Sequence, residues 1–247
     1  MSYLPFLVST SEGYAHHMRP DRRTVAVGTF LLCLTTPVLA QECPPSTYRC
    51  GYGSDFSTTA ARDSASCWFE DGSGSGEILV DHRQGIAWVY ARGGDTGADV
   101  RLRATDDFRV TGLAPGTPLT LAAHLSSQMA VDINRRFFYG KVVVRLIESA
   151  SNQVSDSLDQ SCGLSCPEPV RRESDLSIVI ATTSDQVFRL EYSVECSLYW
   201  GNTSAYETLS FSGLPPGAMI TSCKGFQQDA PTLALPVSWG VLKIRYR

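Results

Sequence analysis

Between Phe188 and Trp200 the chain alternates without a break. Phe188, Leu190, Tyr192, Val194, Cys196, Leu198 and Trp200 are apolar, and Arg189, Glu191, Ser193, Glu195, Ser197 and Tyr199 stand between them. Side chains on a strand point to opposite faces in turn, so the pattern predicts one strand with one face on a core and the other in water. A helix would scatter the same residues around its circumference. Shorter runs repeat the signal: Ile78 to Val80, Ile86 to Arg92, Val100/Leu102/Ala104, Phe108/Val110, Leu119 to Leu125, Met129 to Ile133, Lys141 to Ile147 and Leu176/Ile178/Ile180. Asp81-His82-Arg83-Gln84-Gly85 reads as a hairpin turn between two of them. Half-wet strands need a second layer over their apolar side. The expected fold is therefore all-β: a two-layer antiparallel β-sandwich, jelly-roll or Ig-like.

Between the strands the pattern predicts breaks. Asp106-Asp107 is expected to interrupt its strand as solvated turn acids, Asn202-Thr203-Ser204 to form a turn, and Ser149 to Arg172 to form the longest loop. In the tail, Pro231 and Pro236 mark a linker. Beyond them Trp239, Leu242 and Tyr246 share a helical face with Ser238 as N-cap, against a strand reading of Leu242, Ile244 and Tyr246; a short C-terminal helix is preferred.

The first 40 residues read differently. Met18 to Arg23 is a basic segment, Thr24 to Ala40 an apolar run, and Val38-Leu39-Ala40 a small-residue cleavage signal, the pattern of a secretory signal peptide. Residues 1–17 lie upstream of it, and Met18 is the expected initiator. The organisation follows as extension and signal peptide (1–40), one sandwich domain (41–230), and linker and tail (231–247), with no membrane span in the mature chain. An exported protein is secreted, periplasmic or on the cell surface, where cysteines pair. Cys43, Cys50, Cys67, Cys162, Cys166, Cys196 and Cys223 are the disulfide candidates; their odd number leaves at least one over. Cys43 with Cys50 and Cys162 with Cys166 make plausible short loops, and Cys196 falls on the inward face of its strand.

A motif occurs twice. Val110-Thr-Gly-Leu-Ala-Pro-Gly-Thr-Pro-Leu-Thr120 has a near copy in Phe211-Ser-Gly-Leu-Pro-Pro-Gly-Ala-Met-Ile-Thr221, 101 residues later. Each runs from strand through Gly-Leu-x-Pro-Gly to strand, a turn in which proline presets φ and glycine takes the positive φ other residues avoid. The first copy resembles the corner of fibronectin type III domains, matching at Leu113, Pro115, Gly116 and Thr117. Leu119, and Met219 in the second copy, stand where that family has tyrosine, so the motif reads as a sandwich crossover. The spacing also admits two tandem fibronectin-like halves. With Asp107 to Leu113, Thr221 to Phe226 and Ser238 to Arg247, the layout is similar to uncharacterised exported bacterial β-sandwich proteins and to ectodomains of the PEP-CTERM type, without their anchor. The resemblance implies a fold and a compartment and brings no catalytic residues.

Composition narrows the chemistry. Lys and Arg number 21 against 25 Asp and Glu, a net charge of −4, which argues against nucleic acid and its concentrated basic footprint. No Cys-x-x-Cys pair or histidine cluster suggests a metal, and no cofactor is implied. Asp71 to Gly76 fits neither a nucleophile elbow nor a phosphate loop. His82 and His124 show no nucleophile partner in the sequence, so no catalytic residue is assigned. Acids near Asp95, Asp99 and Asp107 leave an extracellular polysaccharide hydrolase as the alternative. The binding candidates are Trp88 and Tyr90. Ile86, Trp88, Tyr90 and Arg92 share one strand face while Ala87, Val89 and Ala91 share the other. Rings of this size commonly form the core; if the small residues pack inward instead, the rings form an exposed platform suited to a glycan or an envelope protein. The expected role is non-catalytic binding or surface structure.

Overall fold

The structure, a computed structural model, describes residues 42–50, 56–68, 74–94, 97–136, 138–149 and 151–230. The expected leader, Asp95 and the expected C-terminal helix lie outside these residues. Fourteen strands and no helix occur among them. The short leading strands are β1 (Ser46–Cys50), β2 (Phe56–Thr58), β3 (Arg62–Trp68) and β4 (Ser75–Asp81). The body comprises β5 (Ile86–Gly93), β6 (Ala98–Thr111), β7 (Pro118–Ile133), β8 (Tyr139–Ser149), β9 (Asn152–Ser161), β10 (Val170–Thr183), β11 (Val187–Leu198) and β12 (Gly201–Ser212). Two short strands follow, β13 (Met219–Ser222) and β14 (Gln227–Asp229).

The body strands pair as one long hairpin: β8 with β9, β7 with β10, β6 with β11 and β5 with β12, all antiparallel. Further pairing of β11 with β8 and of β12 with β7 rolls that hairpin into two sheets. The first sheet runs β14-β13-β6-β11-β8-β9, with β1 and β2 added on β6; the second runs β10-β7-β12-β5-β4-β3. This winding is a jelly roll, the first of the two expected sandwich types. Tandem fibronectin-like halves are excluded, because β5 to β7 pair with β10 to β12 across the whole chain.

Phe188, Leu190, Tyr192, Val194, Cys196 and Leu198 are buried, as the alternation of β11 requires. They meet Val89, Leu125, Met129, Ala205 and Leu209 of the facing sheet in one continuous core. At one end Phe108, Phe188, Phe211 and Phe226 pack with ring centroids 5.2–6.3 Å apart.

The two Gly-Leu-x-Pro-Gly copies are both crossovers between sheets. The first carries the chain from β6 to β7, the second from β12 back to β13. They lie against each other: Gly112 has φ +87°, and a Cβ there would stand 2.3 Å from the carbonyl oxygen of Gly217. Gly112→Ala is expected to destabilise the fold by about 2 kcal/mol through clash and left-handed strain. Urea unfolding of the variant against wild type measures it.

Three expectations are corrected. Ser149 to Arg172 is no long loop, because it contains β9 and the start of β10. As the outermost strand of its sheet, β9 needs few apolar side chains, and Val154 and Leu158 suffice to seat it, so it reads as polar. Asn202-Thr203-Ser204 opens β12 and pairs on both sides. Asp106-Asp107 does not interrupt β6. Both are buried, and Asp106 continues the inward series Val100, Leu102, Ala104, Phe108 and Val110.

Candidate functional site

On β5 the small residues won the core. Ala87, Val89 and Ala91 are fully buried, which turns Trp88 and Tyr90 outward on the second sheet. Strand register then lays out their surroundings. One row across the sheet reads Leu79, Trp88, Tyr206, Gln128 and Glu173. The next reads Glu77, Tyr90, Ser204, Ala130 and Arg171. The Trp88 and Tyr90 rings are 5.9 Å apart with planes 11° apart. Tyr90 Oη donates to Asn202 Oδ1 at 2.8 Å, which fixes the tyrosine. Tyr206, which sequence reasoning passed over, is 40% exposed beside Trp88. It could have been found by the same period-two count, since it is the outward partner of buried Ala205 and Glu207. A depression of about 520 Å³ opens here, lined by Trp88, Tyr206, Gln128, Arg171, Ser204 and Ala130. Small Ser204 and Ala130 make its floor; rings and hydrogen-bonding side chains make its walls.

A second constellation is internal. On one edge of β6, β1 covers Val100 to Arg103 and β13 covers Phe108 to Thr111, which leaves Ala104 to Asp107 without a strand partner there. Side chains fill the gap. Ser46 Oγ accepts the Thr105 N–H at 3.1 Å, and the Cys223 N–H reaches the Asp107 carbonyl at 2.8 Å. The Cys43–Cys223 disulfide ties together the segments on either side of the gap. From the facing sheet His82 comes in, with Nε2 3.0 Å from Ser46 Oγ and Nδ1 3.7 Å from Asp106 Oδ2. Lys224 Nζ donates to Ser46 Oγ at 2.7 Å and lies 3.4 Å from His82 Nε2. Asp106 accepts from the Ser222 hydroxyl and from the backbone N–H groups of Lys224 and Asp107.

Burial, reinforced by the Lys224 charge, lowers His82 to about 3, so its ring is neutral at ordinary pH. Burial also lowers Lys224 to about 8, with Asp106 and Asp107 pulling the other way. Burial raises Asp106 against the donors that hold it. An ammonium can only donate, so His82 Nε2 is the acceptor and Nδ1 carries the proton facing Asp106. The histidine thus does find a nucleophile, contrary to the sequence reading, and the tautomer is that of an acyl-transfer triad. Position decides what it can do. Ser46, His82, Asp106 and Lys224 are 0%, 2%, 1% and 3% exposed, so no substrate carbonyl reaches Ser46 Oγ in this conformation. The cluster is a charged internal clasp.

The remaining candidates separate. His124 lies on the surface, hydrogen-bonded to Ser212 Oγ at 2.7 Å. Asp99 pairs with Arg101, and Asp107 takes a two-pronged bond from Arg189 at 2.7 and 3.0 Å. No group of acids, histidines and cysteines among the described residues has metal-binding geometry. Cys162 and Cys166 are bonded as the spacing suggests. Cys43, whose pairing the sequence left open with a short loop to Cys50 as one possibility, joins Cys223, because the jelly roll brings the first and last described segments onto one edge of β6. Cys50 is also disulfide-bonded, while Cys196 is free and buried, its thiol pushed up to about 12 by desolvation. The Cys67 side chain is outside the described set.

No family model and no curated protein matches the chain. Among solved structures, it is similar to TmCBM61 in complex with β-1,4-galactotriose at 8% identity and a TM-score of 0.28, over 62% of this chain and 90% of that one. It is also similar to a structure from work on promiscuous carbohydrate-binding modules of the β-sandwich superfamily, at 7% identity and a TM-score of 0.23, over 69% and 85%. Likeness at this level carries no argument about a ligand.

Proposed function

We infer that this is a non-catalytic glycan-binding protein of the cell exterior, gripping polysaccharide on the aromatic face of its second sheet. The observation that carries the reading is the inversion on β5. Alanine and valine occupy the core, while tryptophan and tyrosine, which would bury more apolar area there, are left half in water. Rings held at a surface offer flat apolar faces for the C–H side of a sugar. Gln128, Asn202, Arg171 and Glu173 around them supply donors and acceptors for its hydroxyls. The disulfides agree with an oxidising compartment.

Affinity electrophoresis through gels containing neutral plant and bacterial polysaccharides tests this. The protein is expected to be retarded by at least one of them, and Trp88→Ala or Tyr206→Ala to weaken retardation about tenfold, equivalent to roughly 1.4 kcal/mol, with unfolding unchanged. Undiminished retardation in both variants, or retardation by none of the gels, overturns the reading.

A further inference from the structure

The first sheet also shows rings to solvent, at the end where β11 passes into β12. Two residues, Tyr199 and Trp200, make that connection. Tight hairpins of this length favour Asn and Gly, which take a positive φ at little cost. Here Trp200 takes it, at φ +54°, a conformation that is sterically expensive for a bulky residue. Arg135, from the connection between β7 and β8, stacks on the indole with its guanidinium carbon 3.4 Å from the ring centroid. Packing thus fixes the connection, and with it Tyr199. Tyr199 continues the outward series of β11 beyond buried Leu198 and lies against Gly97, where a Cβ would stand 2.9 Å from its ring. Its N–H donates to the Tyr139 carbonyl at 2.9 Å, and the two tyrosine rings stand 5.6 Å apart with planes tilted by 49°. Tyr139 is 51% exposed and Tyr199 36%. A strained turn and a glycine therefore serve to hold two rings in water, and strain of this kind gathers at functional sites. The next row across the sheet reads Asp159, Lys141, Ser197 and Asp99, a line of donors and acceptors beside the rings.

We propose that the Tyr139–Tyr199 pair is a second glycan site, and that the protein cross-links polysaccharide chains through its two faces. The ligand class rests on the reading of the aromatic face given above. A pyranose lays its C–H side on a ring and turns its hydroxyls to the flanking polar row. A protein partner would need a broad patch with an apolar centre, and two rings bordered directly by Lys141, Asp159 and Asp99 do not supply one. Bivalence follows from where the sites stand. They open on opposite faces of a sandwich whose sheets lie about 10 Å apart. A stiff polymer lying along one face cannot fold back onto the other over that distance, so each face takes its own chain. With two rings against the three of Trp88, Tyr90 and Tyr206, the first-sheet site is the weaker.

Light scattering from mixtures of the full chain with the neutral polysaccharides of the electrophoresis test, soluble cereal β-glucan, xyloglucan and glucomannan among them, decides it. With a polymer that retards the protein, scattering is expected to rise as protein is added, pass through a maximum, and fall once excess protein saturates every chain. Tyr139→Ala with Tyr199→Ala should lower that maximum about tenfold while keeping retardation within about twofold of wild type, which also shows that the variant is folded. Trp88→Ala should lose the scattering and keep a weak retardation, which adding both tyrosine substitutions removes. Retardation without a scattering maximum, or a maximum that survives the double tyrosine variant, overturns the proposal and leaves the aromatic face standing. No retardation in any gel overturns the aromatic-face reading and this proposal with it.

Discussion

Replacing Asp106 with alanine is expected to lower the unfolding free energy by about 3–5 kcal/mol, the range for breaking a buried charge pair from one side. Two losses combine. The buried Lys224 ammonium loses one of the two carboxylates that attract it, keeping Asp107 and its contacts with Ser46 and His82. Three donors aimed at the carboxylate, the Ser222 hydroxyl and the N–H groups of Lys224 and Asp107, lose their acceptor while still buried. Adding Lys224→Met removes the stranded charge and should recover part of the loss, since apolar replacement of a whole buried pair is often tolerated. Urea denaturation with the disulfides intact measures both, read as a shift in midpoint at constant slope. A single variant within about 1 kcal/mol of wild type would mean the clasp contributes no more than an ordinary surface pair.

The clasp also marks where sequence reasoning ran out. Alternation from Phe188 to Leu198 is a local property, and so are the hairpin at His82, the Cys162–Cys166 pair and the strand–turn–strand shape of the glycine–proline repeats; each was legible. The jelly-roll pairing of β5 with β12 was not, nor was the bond between Cys43 and Cys223, because both depend on the chain's ends meeting after the long hairpin has rolled. Ser46 and Lys224 reach His82 from 36 and 142 residues away. Yet a signal for the clasp existed. Asp106 falls in the inward register of an otherwise unbroken series, and an acid there predicts a buried polar network better than a turn. Glu207 sits the same way between Ala205 and Leu209. On β5 the size rule that sends rings inward was overruled by Ala87 and Ala91, whose small side chains let the two sheets pack closely.

Glu207 gives the protein a dependence on pH that can be worked out by sign. The carboxyl is fully buried; Ser127 donates to Oε1 at 2.8 Å, and Oε2 has no protein partner. Burial pushes its pKa up from 4.5 to about 8, against the pull of the Ser127 hydrogen bond. Between those values the folded chain keeps a proton that the unfolded chain has released. Stability from this group is therefore complete below 4.5 and drains away as pH rises towards 8, at about 1.4 kcal/mol per pH unit. His82 works oppositely. Lowered from 6.5 to about 3, it stabilises the fold above 6.5 and loses that contribution as pH falls towards 3. The two slopes cancel between about 4.5 and 6.5, and above 6.5 only Glu207 acts. Lys224, lowered from 10.5 to about 8, then makes stability climb again from pH 8 to about 9, above which the raised Cys196 thiol opposes it. Unfolding free energy should accordingly show a plateau near pH 5–6, a fall of about 2 kcal/mol between pH 6.5 and 8, and a minimum near 8. Glu207→Gln keeps the shape of the protonated acid and has no proton to lose. It should match wild type at pH 6 and stay level to pH 8. If the variant falls as steeply as wild type across that window, Glu207 does not carry the proton and the pH dependence belongs elsewhere.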